Sequence, residues 1–180
     1  LLLNLLRGAG VAGAAAMPVM RSIDAGPVLL RPLLETPRAS IEAYAAEYGL
    51  RWVNDESNGD RHFRRNFLRH DVLPQLEAQF PGARQSLARA AGHFGEAAQL
   101  LDDLAQQDAI AVRQPSGRLG LAAFNRLTPA HARNLLRHAW MAAGFRAPAA
   151  RWIEEARKQL LTTESASETC VETPEGALHV

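Results

Sequence analysis

The sequence predicts an α+β fold that is mostly α-helical, because two parts of the chain differ in their pattern of apolar residues. Residues 1–55 alternate short apolar runs with turn signals, in the order strand, helix, strand. From about residue 63 onward, alanine, leucine, glutamine and arginine dominate, and apolar residues recur at helical spacing. We therefore predict an α/β part over residues 1–62 and a mainly helical part over residues 63–180.

The first part begins with a buried strand expected in "PVLLRPLL", residues 27–34, which is apolar and bounded by proline. Pro37 then stands where a first-turn helix proline would lie, after Thr36 as a candidate N-cap. Helical spacing continues to Gly49, where the predicted helix ends. "LRWVN", residues 50–54, is short and partly β-branched, so we predict a second strand there. Strand, helix and strand with short joints are typical of an α/β unit.

The helical part is interrupted clearly at Pro81-Gly82, which divides residues 63–109 into two long helices. "VRQPSGRLGLAAF", residues 112–124, then predicts a turn that leads into a short strand. The proline and glycine residues in this stretch are the signals for the turn.

Two further helices and a hairpin complete the chain. Thr128 and Pro129 are a cap and a first-turn proline for a helix that reaches about Ala143. A second amphipathic helix is expected from Ala149 to Leu161. The tail "ETCVETPEGALHV" has the pattern of a β-hairpin, strand, turn and strand.

Composition bounds the class of protein. A chain of 180 residues with 47% hydrophobic and 22% charged residues suits one ordinary domain or two small ones, which excludes disordered and collagen-like classes. No apolar run approaches the roughly 20 residues that span a bilayer, so no membrane association is predicted. The single cysteine, Cys170, permits no internal disulfide, and a reducing cytoplasmic compartment is expected.

The two ends of the chain are expected to be internal to a longer protein. "LLLNLL" and "AGAAAM" together resemble a signal peptide, but no basic leader is present and Arg7 interrupts the pattern. The chain starts at Leu1 without a methionine and stops in a stretch with the pattern of a strand, "EGALHV". We therefore expect a fragment and no signal peptide.

"GAGVAG", residues 8–13, matches the G-x-G-x-x-G spacing of dinucleotide-binding proteins. That motif requires a preceding strand and a helix that opens at the third glycine, yet Pro18 leaves only four residues for such a helix to begin. An acidic residue is also needed about 20 residues on, and Asp24 lies in a predicted turn. We predict a loop after the end of a helix instead.

The six histidines give no metal-site pattern. None forms an i, i+4 pair with a glutamate, and His131 and His138 have no carboxylate companion on their helix face. No nucleophile elbow accompanies any serine or cysteine. We expect the histidines to face solvent or the edge of a core, and we predict no metal site.

The stretch "SNGDRHFRRNFLRH", residues 57–70, concentrates four arginines in a chain whose formal net charge is only +1. If a helix starts near Phe63, Arg65 and Arg69 lie one turn apart on one face, each seven residues before an apolar position, Val72 and Leu76. Arg65 and Arg69 would therefore lie on the same face of the helix as the apolar residues Val72 and Leu76, the face expected to be buried. Because an unpaired charge cannot be buried in an apolar core, these two arginines should face a polar cleft or an anion.

The segment before this helix is expected to form a rigid turn. Asp55, Ser57, Asn58 and Asp60 carry short polar side chains that bond back to the local backbone and cap the helix beyond them. A plainer interpretation is that the arginines pair with surface carboxylates. Residues 61–70 contain no acid, however, and clustered arginine on a structured turn is a common device for binding phosphate.

Three stretches of the sequence resemble the second half of the nucleotide-binding domain of the bacterial tRNA(Ile)-lysidine synthetases, of the PP-loop ATP-pyrophosphatase superfamily. They are "LLRGAG" at 5–10, "LLRPLL" at 29–34 and "WVNDESNGDRHFRRNFLRHDVLPQLE" at 52–77. The residues that match the family in the last stretch are Asp55, Ser57, Asn58, Asp60, Phe63, Arg65, Asn66, Arg69, Leu73, Pro74 and Leu76. Residues 137–160 resemble the family's substrate-binding region more loosely. The resemblance implies the C-terminal part of a Rossmann-like α/β domain followed by a helical substrate-binding domain.

The resemblance also implies an activity. Enzymes of this family use ATP, with Mg²⁺ expected, to adenylate the wobble cytidine of the CAU anticodon of tRNA(Ile). The amine of free lysine then displaces AMP, and the lysidine so formed changes codon reading to AUA. Fixed cations suit such chemistry because adenylyl transfer develops negative charge. A homodimer is one of the assembly states left open.

The resemblance implies roles for individual residues. Arg65 is the first candidate for a catalytic cation, with Asn66 and Arg69 in support. Arg61 and Arg64 are candidates for contacts with tRNA phosphates. The candidates for the ATP and substrate cleft are Arg7, Gly8, Gly10, Arg31, Asp55 and Asn58.

The sequence departs from the family in mild and serious ways. Leu68 replaces the usual isoleucine, and Glu56 stands where proline is common. The family's pyrophosphate loop would precede Leu1, so these 180 residues alone are expected to be inactive in adenylation. Pyrophosphate release by this chain with tRNA and lysine would contradict that expectation.

Two other interpretations stay open from the sequence. The first is another PP-loop enzyme that modifies tRNA, such as a thiolating enzyme, although such enzymes usually carry paired catalytic cysteines and only Cys170 is present. The second is a helical module that binds RNA backbone without catalysis. Such a module would show little sequence preference and a steep loss of affinity with salt.

Overall fold

Two short helices begin the chain, and the connection between them contains two glycines. The computed structural model describes residues 1–22, 26–53, 55–115, 118–145, 148–162, 170–173 and 176–179. The two helices are α1 (Leu2–Leu5) and α2 (Val11–Ala14). Gly8 comes after α1 with a φ of 78°, in the left-handed region that favours glycine, and Gly10 is the N-cap of α2. The predicted loop after a helix end is confirmed. A helix precedes "GAGVAG", so the strand that a dinucleotide motif requires is absent there.

The next two elements form a hairpin. Strand β1 (Met20–Ser22) pairs antiparallel with β2 (Val28–Leu30), and Arg21 lies opposite Leu29. The strand predicted in residues 27–34 is confirmed in its first half, but its residues are exposed and the expectation of a buried strand is wrong. Its neighbour in the sheet is the hairpin partner β1, and not a parallel strand reached through a helix.

Helix α3 (Arg38–Glu47) lies where helical spacing predicted it, and Gly49, at a φ of 60°, follows its end. Its N-cap is Pro37, so the predicted N-cap at Thr36 is wrong. The prediction of a strand over residues 50–54 is wrong for residues 50–53, which form no strand. Residue 54 is outside the described residues. The apolar and β-branched pattern alone does not make a strand, because a strand also needs a neighbour with which to pair. Trp52 and Val53 are exposed.

The segment that carries the arginine stretch is helical but not uniformly α-helical. It contains a 3-10 turn (Glu56–Asn58), α4 (Arg64–Phe67), a π-helical turn (Leu68–Val72) and α5 (Leu73–Gln79). Pro74 has no N–H to donate, and its ring would clash with a carbonyl one α-turn earlier, so the wider π turn accommodates it. The spacing of seven residues used to relate Arg65 to Val72 therefore does not correspond to two α-helical turns, and that step of the prediction is corrected.

The long helix α6 (Ala83–Val112) starts after Pro81-Gly82, as predicted. Gly82 has a φ of 84°. The Glu77 carboxylate accepts hydrogen bonds from the backbone N–H of Gly82 at 2.9 Å and of Arg84 at 3.1 Å, which caps the start of α6. The chain divides into two compact units within this helix, Leu1–Glu96 and Ala97–Val180.

The second unit continues with three helices and a hairpin. Arg113 and Leu119 form an isolated β-bridge, and the strand expected next is replaced by the short helix α7 (Leu121–Phe124). Helices α8 (Pro129–Ala142) and α9 (Ala150–Thr162) come next, and Thr128 caps α8 as predicted. The predicted terminal hairpin is confirmed as the antiparallel pair β3 (Cys170–Thr173) and β4 (Gly176–His179).

The hydrophobic core lies in the second unit, where α7, α8 and α9 meet the end of α6. Its buried members are Val112, Phe124, Ala132, Leu135, Leu136, Ile153, Ala156 and Leu160. Each buried leucine or isoleucine contributes roughly 1.5–3 kcal/mol relative to an exposed one. Of the side chains described in the first unit, only Ala14, Asn66 and Ala91 are buried. No helix in the described ranges is long and apolar enough to cross a membrane.

The candidate anion-binding site

The candidate site is a cavity of about 560 Å³ in the first unit, and Arg65 and Arg69 line it together. This arrangement agrees with the prediction that the two arginines share one face of the helix. Both side chains are exposed, and neither makes an ion pair or hydrogen bond within the described part of the chain. Their guanidinium groups therefore remain available to an anion.

The walls of this cavity are apolar. They consist mainly of leucine and alanine side chains, including Leu68 of the π-helical turn, Leu73 of α5 and Leu87 of α6. An apolar wall lowers the local dielectric constant, so a charge beside it interacts more strongly with an opposite charge than it would in bulk water. Apolar walls with a few cationic groups are also the usual composition of a small-molecule pocket.

The polar turn before α4 is held together by carboxylates. Asp55 accepts a hydrogen bond from the backbone N–H of Ser57 at 2.9 Å, and Asp60 accepts one from the backbone N–H of His62 at 2.9 Å. The hydroxyl and backbone N–H of Ser57 lower the pKa of Asp55, and the backbone and side chain of His62 lower the pKa of Asp60. The predicted bonding of side chains back to the local backbone is confirmed for Asp55 and Asp60. The prediction that this segment caps the following helix is wrong, because Phe63 is the N-cap of α4 and no side chain caps it.

Asn66 connects this polar turn to α4. Its side chain is buried, at 6% exposure, and its amide donates to the carbonyl oxygens of Ser57 at 2.8 Å and Asp60 at 2.9 Å. His70 adds a contact between its Nε2 and the carbonyl oxygen of Asn58 at 3.2 Å. The contacts of Asn66 are thus with the protein backbone, and they fix the turn against the helix that carries Arg65.

Other predicted site residues lie outside the cavity lining. Arg7 is exposed, with Gly8 and Gly10 in the connection immediately after it. Arg31 directly follows β2, and its Nη1 donates to the carbonyl oxygen of Pro18 at 2.8 Å. The structure therefore brings Arg65 and Arg69 together in one cavity and keeps these residues apart from it.

The two predicted tRNA-binding arginines differ in their surroundings. Arg61 forms an ion pair with Asp71 at 2.8 Å, in which the arginine side chain remains exposed. Arg64 is exposed and makes no ion pair with any described residue.

One cavity residue was missed from the sequence. Arg84 lines the cavity from α6, together with Leu87, Ala88 and Ala91. These positions are spaced i, i+3, i+4 and i+7, which is the pattern of one helix face. This spacing could have been recognised from the sequence. As with Arg65 and Arg69, it places an arginine on the same helix face as apolar residues.

Two family models match the chain. A PP-loop domain matches residues 1–76, and a TilS substrate binding domain matches residues 119–180. The first match includes Arg65, Arg69 and the polar turn, whereas Arg84 lies between the two matched ranges.

Similar proteins cover most of the chain. The tRNA(Ile)-lysidine synthase of Nitrosomonas europaea is 48% identical over 89% of this chain and 35% of its own length. The synthase of Pseudomonas syringae pv. tomato is 52% identical over 82% of this chain and 34% of its own length. The synthase of Ralstonia nicotianae is 45% identical over 96% of this chain and 37% of its own length.

The chain belongs to the tRNA(Ile)-lysidine synthase family. It spans about a third of the length of these relatives. The PP-loop match contains Arg65 and Arg69 of the cavity, and the substrate-binding match contains helices α7, α8 and α9 of the second unit.

In the substrate-binding part of this lysidine synthase family member, two histidines have carboxylate partners that the sequence did not reveal. His131 Nδ1 lies 2.8 Å from Asp108 Oδ2, and His138 Nδ1 contacts Asp102 Oδ1. Both aspartates belong to α6, so these carboxylates come from another helix, and the prediction that no carboxylate lies beside the histidines on their own helix face is not contradicted. Partners on a different helix cannot be found from spacing within one helix.

Proposed function

We propose that the protein containing this chain is a tRNA(Ile)-lysidine synthase, an ATP-dependent carbon–nitrogen ligase. It would adenylate the wobble cytidine of the CAU anticodon of tRNA(Ile), with release of pyrophosphate. The amine of free lysine would then displace AMP to give lysidine, which reads AUA. The single observation that carries the proposal is a cavity lined by Arg65 and Arg69, which lie inside the range that matches the PP-loop domain and have no partner among the described residues.

Arg65 and Arg69 are the residues to which we assign the main chemical role. Adenylyl transfer moves negative charge onto oxygens of the phosphate and the departing pyrophosphate, and lysine attack later moves charge onto AMP. Fixed guanidinium groups stabilise that charge without needing to reorganise during the reaction. Neither group needs to give up or accept a proton, because arginine stays protonated.

Asn66 is proposed as a positioning residue, because its amide hydrogen bonds reach the backbone of the polar turn. Asp55 and Asn58 would shape the same turn at the edge of the cleft. Arg61 and Arg64 are proposed to bind tRNA phosphates from the exposed side of the helix.

The remaining cleft assignments rest on the family resemblance. Arg7, Gly8, Gly10 and Arg31 would border the nucleotide in the complete α/β domain. We also keep the proposal that residues 1–62 belong to that Rossmann-like domain and residues 63–180 to the mainly helical substrate-binding region.

The proposed cofactor is ATP, and three arginines in one apolar cavity fit its phosphate groups. Mg²⁺ is expected to accompany ATP and to neutralise its phosphates. No group of three or more His, Cys, Asp or Glu side chains that could hold a metal comes together in the described ranges, so we assign no Mg²⁺ ligand to this chain. We propose a cytoplasmic location, with tRNA(Ile) and lysine as partners, and a homodimer remains open.

The test compares the full-length protein with its Arg65→Ala variant. We expect the wild-type protein to form AMP only when ATP, tRNA(Ile) and lysine are all present. Loss of Arg65 should lower that rate by about 10²–10³-fold, as for removal of one preorganised donor to a developing anion. Much of the affinity for tRNA should survive, since phosphate contacts elsewhere remain.

Arg38→Ala is the matched control, because Arg38 is exposed, pairs with Glu42 and lies outside the cavity. Its rate should stay close to that of the wild type. If Arg65→Ala weakens tRNA binding in proportion to its loss of rate, the arginine stretch belongs to a module that only binds RNA backbone, and the proposed catalytic role is wrong.

A further inference from the structure

Arg84 approaches the cavity from a different element than the two arginines of the family motif. Arg65 and Arg69 belong to α4 and the π-helical turn, whereas Arg84 is the second residue of α6. All three line the same cavity. An anion bound there would therefore meet cationic groups from two separate helices.

The backbone at Arg84 is held by Glu77. The carboxylate of this residue accepts hydrogen bonds from the N–H groups of Gly82 and Arg84 at 2.9 and 3.1 Å. These two bonds tie the first turn of α6 to α5. They fix the Cα position of Arg84 relative to the helix segment that precedes it.

The guanidinium group of Arg84 remains largely available. It forms one long ion pair, between its Nε and Glu77 Oε2 at 3.9 Å, which is beyond hydrogen-bond distance, and the side chain is 57% exposed. Its two Nη groups donate no hydrogen bond to a described residue. Arg84 can therefore bind an incoming anion through both Nη groups, in the forked geometry that suits phosphate.

We propose that Arg84 is a further substrate-binding residue, which binds a phosphate group of the nucleotide in the cavity that Arg65 and Arg69 line. This inference rests on the proposed function, because it takes ATP as the ligand. Arg84 holds the nucleotide already in the ground state. Its loss therefore weakens nucleotide binding, whereas the loss of Arg65 mainly slows the reaction.

The test measures ATP binding to the full-length protein by calorimetry, without tRNA and without lysine. We expect Arg84→Ala to raise the Kd for ATP about tenfold, as for the loss of a hydrogen bond to a charged group. Arg84→Lys should fall between the wild type and Arg84→Ala, because lysine keeps the charge but not the fork. Arg38→Ala should leave the Kd for ATP unchanged, and thermal unfolding should show all variants folded.

A second arm separates the two sources of phosphate. The affinity for tRNA is measured without nucleotide at one fixed salt concentration, because a phosphate contact with RNA depends on salt. An unchanged Kd for ATP in Arg84→Ala overturns the proposal, whether tRNA binding stays constant or falls. Formation of AMP by the wild-type protein is a separate measurement, and its absence would refute the proposed function. The role of Arg84 would still be decided by the ratio of the Kd for ATP of Arg84→Ala to that of the wild type.

Discussion

The two units of the chain bury different kinds of side chain. In the second unit, a cluster of apolar residues from four helices is shielded from water. In the first unit, the described side chains that reach full burial are two alanines and the amide of Asn66. Apolar packing thus organises the second unit, whereas hydrogen bonds between side chains and backbone organise the turn at the candidate site. Hydrogen bonds of this kind suit a site that binds a charged ligand, because they hold its polar groups in place before the ligand arrives.

The largest effect on stability is expected from breaking the core of the second unit. Leu135 is 1% exposed, and Leu135→Ala should lower the free energy of unfolding by about 2–5 kcal/mol, from lost burial and the cavity left behind. Leu100→Ala, at a position 68% exposed in the same unit, is the control and should change stability by less than about 0.5 kcal/mol. Urea unfolding followed by circular dichroism measures both. Equal effects would show that the packed cluster does not set the stability of this unit.

A smaller effect is expected from removing the buried amide of the first unit. Asn66→Ala removes two hydrogen bonds, and the carbonyl oxygens of Ser57 and Asp60 then keep only backbone N–H donors. The loss of both bonds should cost about 1–3 kcal/mol. Asn58→Ala is the control for stability, because that side chain is exposed. Hydrogen exchange of the backbone N–H groups in residues 55–63 would locate the change. Protection that is the same in Asn66→Ala and the wild type would remove Asn66 from its positioning role.

The smallest expected effect is a dependence of stability on pH. It would show that an ion pair, and not apolar packing alone, stabilises the second unit. Glu154 accepts hydrogen bonds from Arg157 at 2.6 Å and Arg133 at 3.3 Å, and Arg157 above all lowers the pKa of Glu154 from 4.5 to about 2. A carboxyl whose pKa is lower in the folded state stabilises the fold above its unfolded pKa. That contribution is lost as the pH falls from about 4.5 toward 2.

Glu154→Gln should therefore unfold with a shallower dependence on pH in this acidic range. Glu155→Gln is the matched control, because Glu155 is exposed and accepts a hydrogen bond from the uncharged side chain of Gln159. Melting temperatures at intervals between about pH 2 and 5 provide the measurement. Parallel curves for the wild type and Glu154→Gln would exclude this contribution.

Much of the helical structure was predictable because its limits are local. Pro81-Gly82, Thr128-Pro129 and Gly49 interrupt or cap helices through their own backbone preferences, which a sequence displays directly. The shared face of Arg65 and Arg69 could be inferred from helical spacing in the same way. The polar turn was predictable because its aspartates bond to N–H groups only two residues away.

The features that could not be predicted depend on partners distant in the sequence. Residues 50–53 have the composition of a strand, but strand formation depends on a neighbour that composition does not reveal. The aspartates opposite His131 and His138 belong to another helix, 23 and 36 residues away. Pairing across helices is a property of packing, which no local pattern specifies.

The π-helical turn Leu68–Val72 sets the rotational phase of the helix that carries the candidate site. A residue inserted into a helix turns everything beyond it by about 100° around the axis. The π-helical turn therefore sets the angle around the helix axis between Arg65 and Leu73, both of which line the cavity. Deletion of one residue here would keep the composition of the arginine stretch almost intact and yet rotate its cations relative to the apolar wall. The site thus depends on the number of residues between Phe67 and Leu73 as much as on their identity.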